Sequence, residues 1–178
     1  MEAKIWHRHY DYNVPTTIRY PHLPAHELLN IPVAHYPDKA ALIFYGSEMT
    51  FLELRTEAAK LANALAGLGV QKGDRVGIHL PNCPQYLVCY FAVLSIGAVV
   101  VNLNPLYTPD ELKTMIGISG LETLVTFDMA IPAIRVLCGQ IIIPRVIVTA
   151  MTDYVHRIPK CCARFLSLSY FKKLIKVL

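Results

Sequence analysis

Three times in the first 112 residues a short apolar run gives way to a polar cap and then to an amphipathic helix. The runs are 41–45, 76–80 and 98–103, and the caps that follow begin at Thr50, Asn82 and Thr108. Thr108 has a side-chain oxygen that can accept a free backbone N–H, and Glu111 three residues on can reach back. Pro109 fits the first helical position, where no donor is needed. Tyr107 and Leu112 are placed as a hydrophobic staple, so a helix is predicted from about residue 109. Thr50 with Glu53 repeats the pattern, with Met49 and Leu54 as its staple. The helix it opens has Leu54, Ala58, Leu61, Leu65 and Leu68 at helical spacing. Asn82 with Gln85 is read as a third cap of this type. Strand, cap and helix in repetition predict βα units on a parallel sheet. The run 99–103, short and rich in valine, is expected as a strand buried on both faces.

At 178 residues the chain is long enough for one ordinary domain with a sizeable core. It divides into an N-terminal arm (1–22), an α/β part (23–153) and a basic amphipathic tail helix (154–178). Five cysteines form no C-x-x-C pair, and Cys161 and Cys162 are adjacent, so all five read as reduced, mostly structural thiols in a reducing compartment, with Cys161–Cys162 as a metal or redox site the disfavoured alternative. The start carries acids early and has no apolar h-region, so it is not a secretory signal. His7 and His9 would share one side of a strand, but two ligands without a third make a weak metal site. An exposed polar arm is the preferred reading. Residues 1–153 hold 11 basic and 13 acidic residues, whereas the tail holds six basic residues and no acid. A near-neutral body argues against nucleic acid as a partner.

The chain has no Asp, Glu, Lys or Arg between Arg75 and Asp110, and residues 86–103 are long enough to span a bilayer. Pro81, Asn82 and Pro84 at one end, Asn102, Asn104 and Pro105 at the other, and Gly97 within favour a packed helix of 86–96, a glycine turn and a strand. In the tail, Ser169, Lys172, Lys173 and Lys176 share one arc opposite Phe171, Leu174, Ile175 and Leu178. Such a helix can lie on an anionic membrane surface or pack on further protein.

Complete catalytic motifs are absent from the sequence. The glycines of residues 67–74 follow a helix rather than a strand. Gly67 or Gly69 therefore reads as a left-handed helix cap and residues 72–74 as a turn, not as a phosphate cradle. There is no G-x-S-x-G, H-E-x-x-H or Gly-Lys-Ser/Thr element. His79, inside a strand-like run, reads as a packed histidine rather than a general base. Asp38 and Lys39 read as solvated turn residues.

The stretches YPDKAALIFYGSEMTFLEL, LGVQKGDRVGIHLPNCPQYLVCYFAVLSIGAVVVNLNPLYTPDEL and SGLETLVTFD are similar, in order and spacing, to the N-terminal part of AMP-forming acyl-CoA ligases. The Asn-Pro-Leu-Tyr-Thr junction and the Gly-Asp-Arg-Val entry most resemble the long-chain fatty acid branch. The resemblance covers about residues 5–155. It implies a layered α/β fold, a partial N-terminal subdomain of the adenylate-forming architecture. It also implies a two-step reaction in the full enzyme, with ATP, magnesium and coenzyme A. ATP and a carboxylate give acyl-adenylate and pyrophosphate, and coenzyme A thiol then gives the thioester and AMP. The family's Gly/Ser/Thr-rich loop, acidic residues and C-terminal lysine have no counterpart here, so no catalytic, cofactor-binding or metal residue is assigned. The expectation is an incomplete ligase segment, cytoplasmic or at a membrane surface and inactive alone. Its partners would be the remaining ligase sequence, a second copy, or a membrane met by the basic tail. A non-catalytic interaction module or a small membrane-associated protein is the alternative.

Overall fold

The computed structural model describes residues 4–154. After a 3-10 turn at Ile5–His9, the chain forms α1 (Glu27–His35), β1 (Ala40–Phe44), β2 (Ser47–Thr50) and α2 (Phe51–Gly67). There follow β3 (Arg75–His79), α3 (Pro84–Ser95), β4 (Val99–Asn102), α4 (Pro109–Ser119), β5 (Thr123–Phe127), α5 (Ile131–Cys138) and β6 (Arg145–Thr149). Strands β4, β3, β5 and β6 lie side by side in that order, all parallel. The α/β class and the parallel sheet with βα units are as the sequence predicts.

The helix starts at Thr50 and Thr108 follow local chemistry. Thr50 N donates to Glu53 Oε2 at 2.8 Å while Glu53 N donates to Thr50 Oγ1 at 3.2 Å. Thr108 and Glu111 repeat the exchange at 2.8 and 3.4 Å. Met49 and Leu54 are buried in one apolar cluster, and Tyr107 packs with Leu112 in another. Of the two glycines at the end of α2, Gly69 takes the left-handed conformation (φ +83°). Gly69 N donates to Ala66 O at 2.9 Å and Val70 N to Leu65 O at 3.0 Å, with Leu65 and Val70 in one core. These paired bonds satisfy carbonyls that the helix end would otherwise leave open.

Three expectations are corrected. The run 41–45 is no member of the parallel sheet: β1 pairs antiparallel with β2 in a separate two-stranded sheet. Tyr45 (φ +47°) and Gly46 (φ +74°) form the two-residue connection, and positive φ at both positions is the geometry of a tight hairpin. Strand β4 is not buried on both faces. It lies at the sheet edge, and Val99 is 47% exposed. Third, α3 starts at Pro84 with Cys83 as its cap residue, and no side chain caps it. Asn82 and Gln85 do not exchange bonds there.

Each face of the four-stranded sheet carries a core. On one, Val76, Ile78 and Val125 pack with Ala58, Leu65, Ala92 and Val93 of α2 and α3. On the other, Leu124 packs with Leu112 and Ile116 of α4 and Ile134 and Leu137 of α5. Among the described residues no helix is long and apolar enough to cross a membrane. The charge-free stretch is divided, because α3 ends at Ser95 and β4 begins at Val99.

Candidate functional site

The connections from the two central strands leave in opposite directions. From β3 the chain runs through α3 to β4, and from β5 it runs through α5 to β6 on the opposite face. In an open parallel sheet that reversal leaves a crevice outside the carboxyl ends of the two strands. His79 ends β3, and Thr126 and Phe127 end β5. His79 is 2% exposed, with Nδ1 2.9 Å from Thr126 Oγ1 and its ring 5.8 Å from that of Phe127. Nε2 has no hydrogen-bond partner among the described residues. Burial holds the imidazole below its ordinary pKa, and the main chain of Asn104 only partly opposes this. The result is a neutral, packed histidine with a hydroxyl partner. Among the described residues neither ring nitrogen bonds a carboxylate, so no acid is placed there to support a general base.

A second polar group reaches across the same end of the sheet. Gln85, at the start of α3, donates from Nε2 to the Ala150 carbonyl at 2.7 Å. It is 3% exposed, and its Oε1 has no partner among the described residues. The Ala150 turn is held in addition by Asp153, whose Oδ2 accepts from Thr149 Oγ1 and Ala150 N, each at 2.9 Å. Tyr154 O–H donates to Glu57 Oε2 at 3.4 Å, and burial first, then the Glu57 charge, pushes its phenol up to about 12. These contacts tie the segment after β6 to the first half of α2 and the start of α3. They span 65 and 97 residues, so no local pattern announces them.

Two depressions flank the start of α3. One, about 300 Å³, is walled by Glu48, Glu53, Glu57, Asp153 and Tyr154. The other, about 310 Å³, is mostly apolar, with Phe44, Cys83, Tyr86 and Leu87 in its wall. Leu42 and Pro84 belong to both, so the two adjoin. Although four carboxylates line the first, no group of three or more His, Cys, Asp or Glu is arranged to hold a metal ion among the described residues. His7 and His9 fall in a 3-10 turn rather than on a strand, with His7 Nδ1 accepting from Lys4 N at 3.2 Å. Cys83 and Cys89 are buried free thiols, and burial raises the pKa of both, Cys89 to about 12. Neither has the depressed pKa of a reactive thiolate. The pair Cys161–Cys162 and the tail helix lie outside the described residues.

The profile of the family described as "AMP-binding enzyme" matches residues 30–160. The long-chain-fatty-acid–CoA ligase of Bacillus subtilis (strain 168) is 36% identical over 151 residues, covering 85% of this chain and 27% of the relative. That of Escherichia coli O6:H1 is 35% identical over 176 residues, covering 97% of this chain and 31% of the relative. The chain thus spans about a third or less of the length of the curated relatives it matches. Among solved structures, the anthranilate CoA ligase AuaEII in complex with anthranoyl-AMP superposes with a TM-score of 0.68 at 27% identity, over 71% of this chain and 24% of that one. A benzoate CoA ligase from Burkholderia xenovorans LB400 shares the fold, with a TM-score of 0.66 over 70% of this chain and 25% of that one. The matched family, the extent of the match and the parallel sheet agree: the chain belongs to the AMP-binding enzyme family.

Proposed function

We propose that this chain is scaffold for an AMP-forming long-chain fatty acid–CoA ligase and contributes no catalytic group of its own. The observation that carries the reading is the 36% identity to the Bacillus subtilis ligase across 151 residues. In the complete enzyme, ATP and a fatty acid give an acyl-adenylate and pyrophosphate, and the thiol of coenzyme A displaces AMP. Charge developing on the phosphates during the first step must be met by fixed donors or a cation. Residues 4–154 offer no glycine-rich phosphate loop after a strand and no metal-holding cluster among them. Their part is to build the sheet and present its carboxyl end. The partner this reading calls for is further ligase sequence. The open edge at β4 and the exposed Leu106 (86%) and Met129 (76%), which follow β4 and β5, are the surfaces such sequence would meet.

The purified 178-residue chain is expected to give no ATP–pyrophosphate exchange and no palmitoyl thioester above a protein-free blank. Turnover that scales with protein and survives repurification would overturn the scaffold reading.

A further inference from the structure

The arm at residues 4–23 and the groove made by the two adjoining depressions complement one another, yet they do not meet within one chain. No residue before Leu42 lines either depression. Of residues 4–25 only His7 is half-buried, and the rest are exposed. The hydrogen bonds and ring contacts of residues 4–23 all stay inside that segment. The arm is basic and apolar. Lys4, Arg8 and Arg19 outnumber its one acid, Asp11, and Trp6, Tyr12, Ile18 and Tyr20 stand in solvent. The groove has the opposite charge. Glu48, Glu53, Glu57 and Asp153 line one end, and Phe44 and Leu87 line the other. Among the described residues no Lys, Arg or His lines either end. Glu57 pairs with Lys60 Nζ at 2.6 Å, whereas the exposed Glu48 has no ion pair among the described residues.

We infer that a second copy of this chain fills the groove with its arm, and that two copies exchange arms reciprocally. Residues 18–23, IRYPHL, carry the match, and they have no regular secondary structure. In extended backbone Ile18 and Tyr20 point to one side and Arg19 to the other, which suits an apolar wall beside an acidic one. Pro15, Pro21 and Pro24 fix φ at three positions, so seating the arm loses less chain entropy. Its root is held as a turn that runs into α1: Glu27 N donates to Pro24 O at 3.0 Å and Leu28 N to Ala25 O at 3.2 Å. Reaching its own groove requires the arm to leave the conformation described, and reaching a neighbour's does not. Helix α1 stands beside the groove, because Leu29 and Val33 share one apolar cluster with Leu42, Met49, Leu87 and Tyr154. Two copies facing each other across a two-fold axis therefore bring each arm root next to the other's groove. Leu28 and Ile31, three residues apart and exposed on α1, add an apolar contact near that axis. The ionic part of the exchange weakens with salt.

Sedimentation equilibrium of the full chain should give twice the 20.0 kDa chain mass. Ile18→Ser with Tyr20→Ser should give a monomer with an unchanged thermal melt, because both side chains are exposed (67% and 75%). Arg19→Glu and Glu48→Arg should each raise the dimer dissociation constant by about tenfold or more, since each reverses two symmetry-related pairs. Mixing these two variants should restore most of the wild-type affinity, for every arm then meets a groove of opposite charge. Carbodiimide treatment of mixed light and ¹⁵N-labelled Arg19→Lys chains should link position 19 to Glu48 between chains. A monomer at every concentration, an assembly larger than two, or a dimer indifferent to Ile18 and Tyr20 overturns the inference. So does a mixture that binds no more tightly than its parts. Links to Glu48 confined to one chain also overturn it, since they place a segment of the same chain in the groove.

Discussion

The starts of α3 and α4 do the same job by different means. At α4, Thr108 and Glu111 exchange bonds, Pro109 occupies the first turn, and Tyr107 packs with Leu112. Everything needed lies within six residues. At α3, Pro84 again opens the helix, but Cys83 supplies no side-chain cap and Asn82 stands where a staple would need an apolar residue. Gln85, which spacing alone assigns to a capping box, sits one position earlier in the helix than a box requires. It donates instead to the Ala150 carbonyl at 2.7 Å. A helix start can be fixed by its own neighbours or released from them, and release frees a polar side chain for a bond across the fold. The difference also has a cost at α3, where Gln85 keeps a buried oxygen without a partner among the described residues.

Substitutions can break this contrast. The largest effect is expected from Leu112→Ala, which empties a site only 1% exposed and removes the staple of α4. Urea denaturation should show a loss of about 2–5 kcal/mol. A loss within the error of the measurement would mean that α4 does not depend on its local start. A smaller effect separates the two caps. Thr108→Ala should cost about 1 kcal/mol, whereas Asn82→Ala should stay within about 0.5 kcal/mol, as expected for a residue with no capping bond. Equal costs would erase the distinction between the helices.

The smallest effect concerns pH. Bonds from the main chain and side chain of Thr108 hold the Glu111 carboxyl below its ordinary value of 4.5. Because the folded pKa is the lower one, the stabilisation is complete above 4.5 and is lost as pH falls through the depressed folded value. Thermal melts of wild type and Glu111→Gln should therefore converge as the pH is lowered through that window. A gap of constant size down to the acid end would show that the carboxylate charge plays no part.

Two of the three capped starts, the Gly69 helix end and the parallel βα units were legible in the sequence, because each is decided by residues within a turn of one another. The hairpin was not. Tyr45-Gly46 is a turn signal only if tyrosine accepts positive φ, which few non-glycine residues do, so 41–45 read as one more strand of the parallel sheet. The edge position of β4 was hidden for another reason. A run of valines looks the same in the middle of a sheet and at its rim, and only the strand order decides between them. The family followed from matching stretches of sequence. The groove did not, since its walls come from residues 42–57, 82–87 and 153–154. His79 read correctly as packed, but its hydroxyl partner lies 47 residues away.

The strand order also bears on how the chain reaches its fold. Strand β3 is flanked by β4 on one side and by β5 on the other, and the β3–β5 pairing joins residues such as Val76 and Thr123. That pairing closes a long loop before it gives any return, which makes it slow compared with helix or hairpin formation. During synthesis, β3 waits with one flank bare until Phe127 has left the ribosome. A ribosome paused after β4 has emerged and before β5 has would display an apolar strand with one flank unpaired to whatever chaperone is at hand.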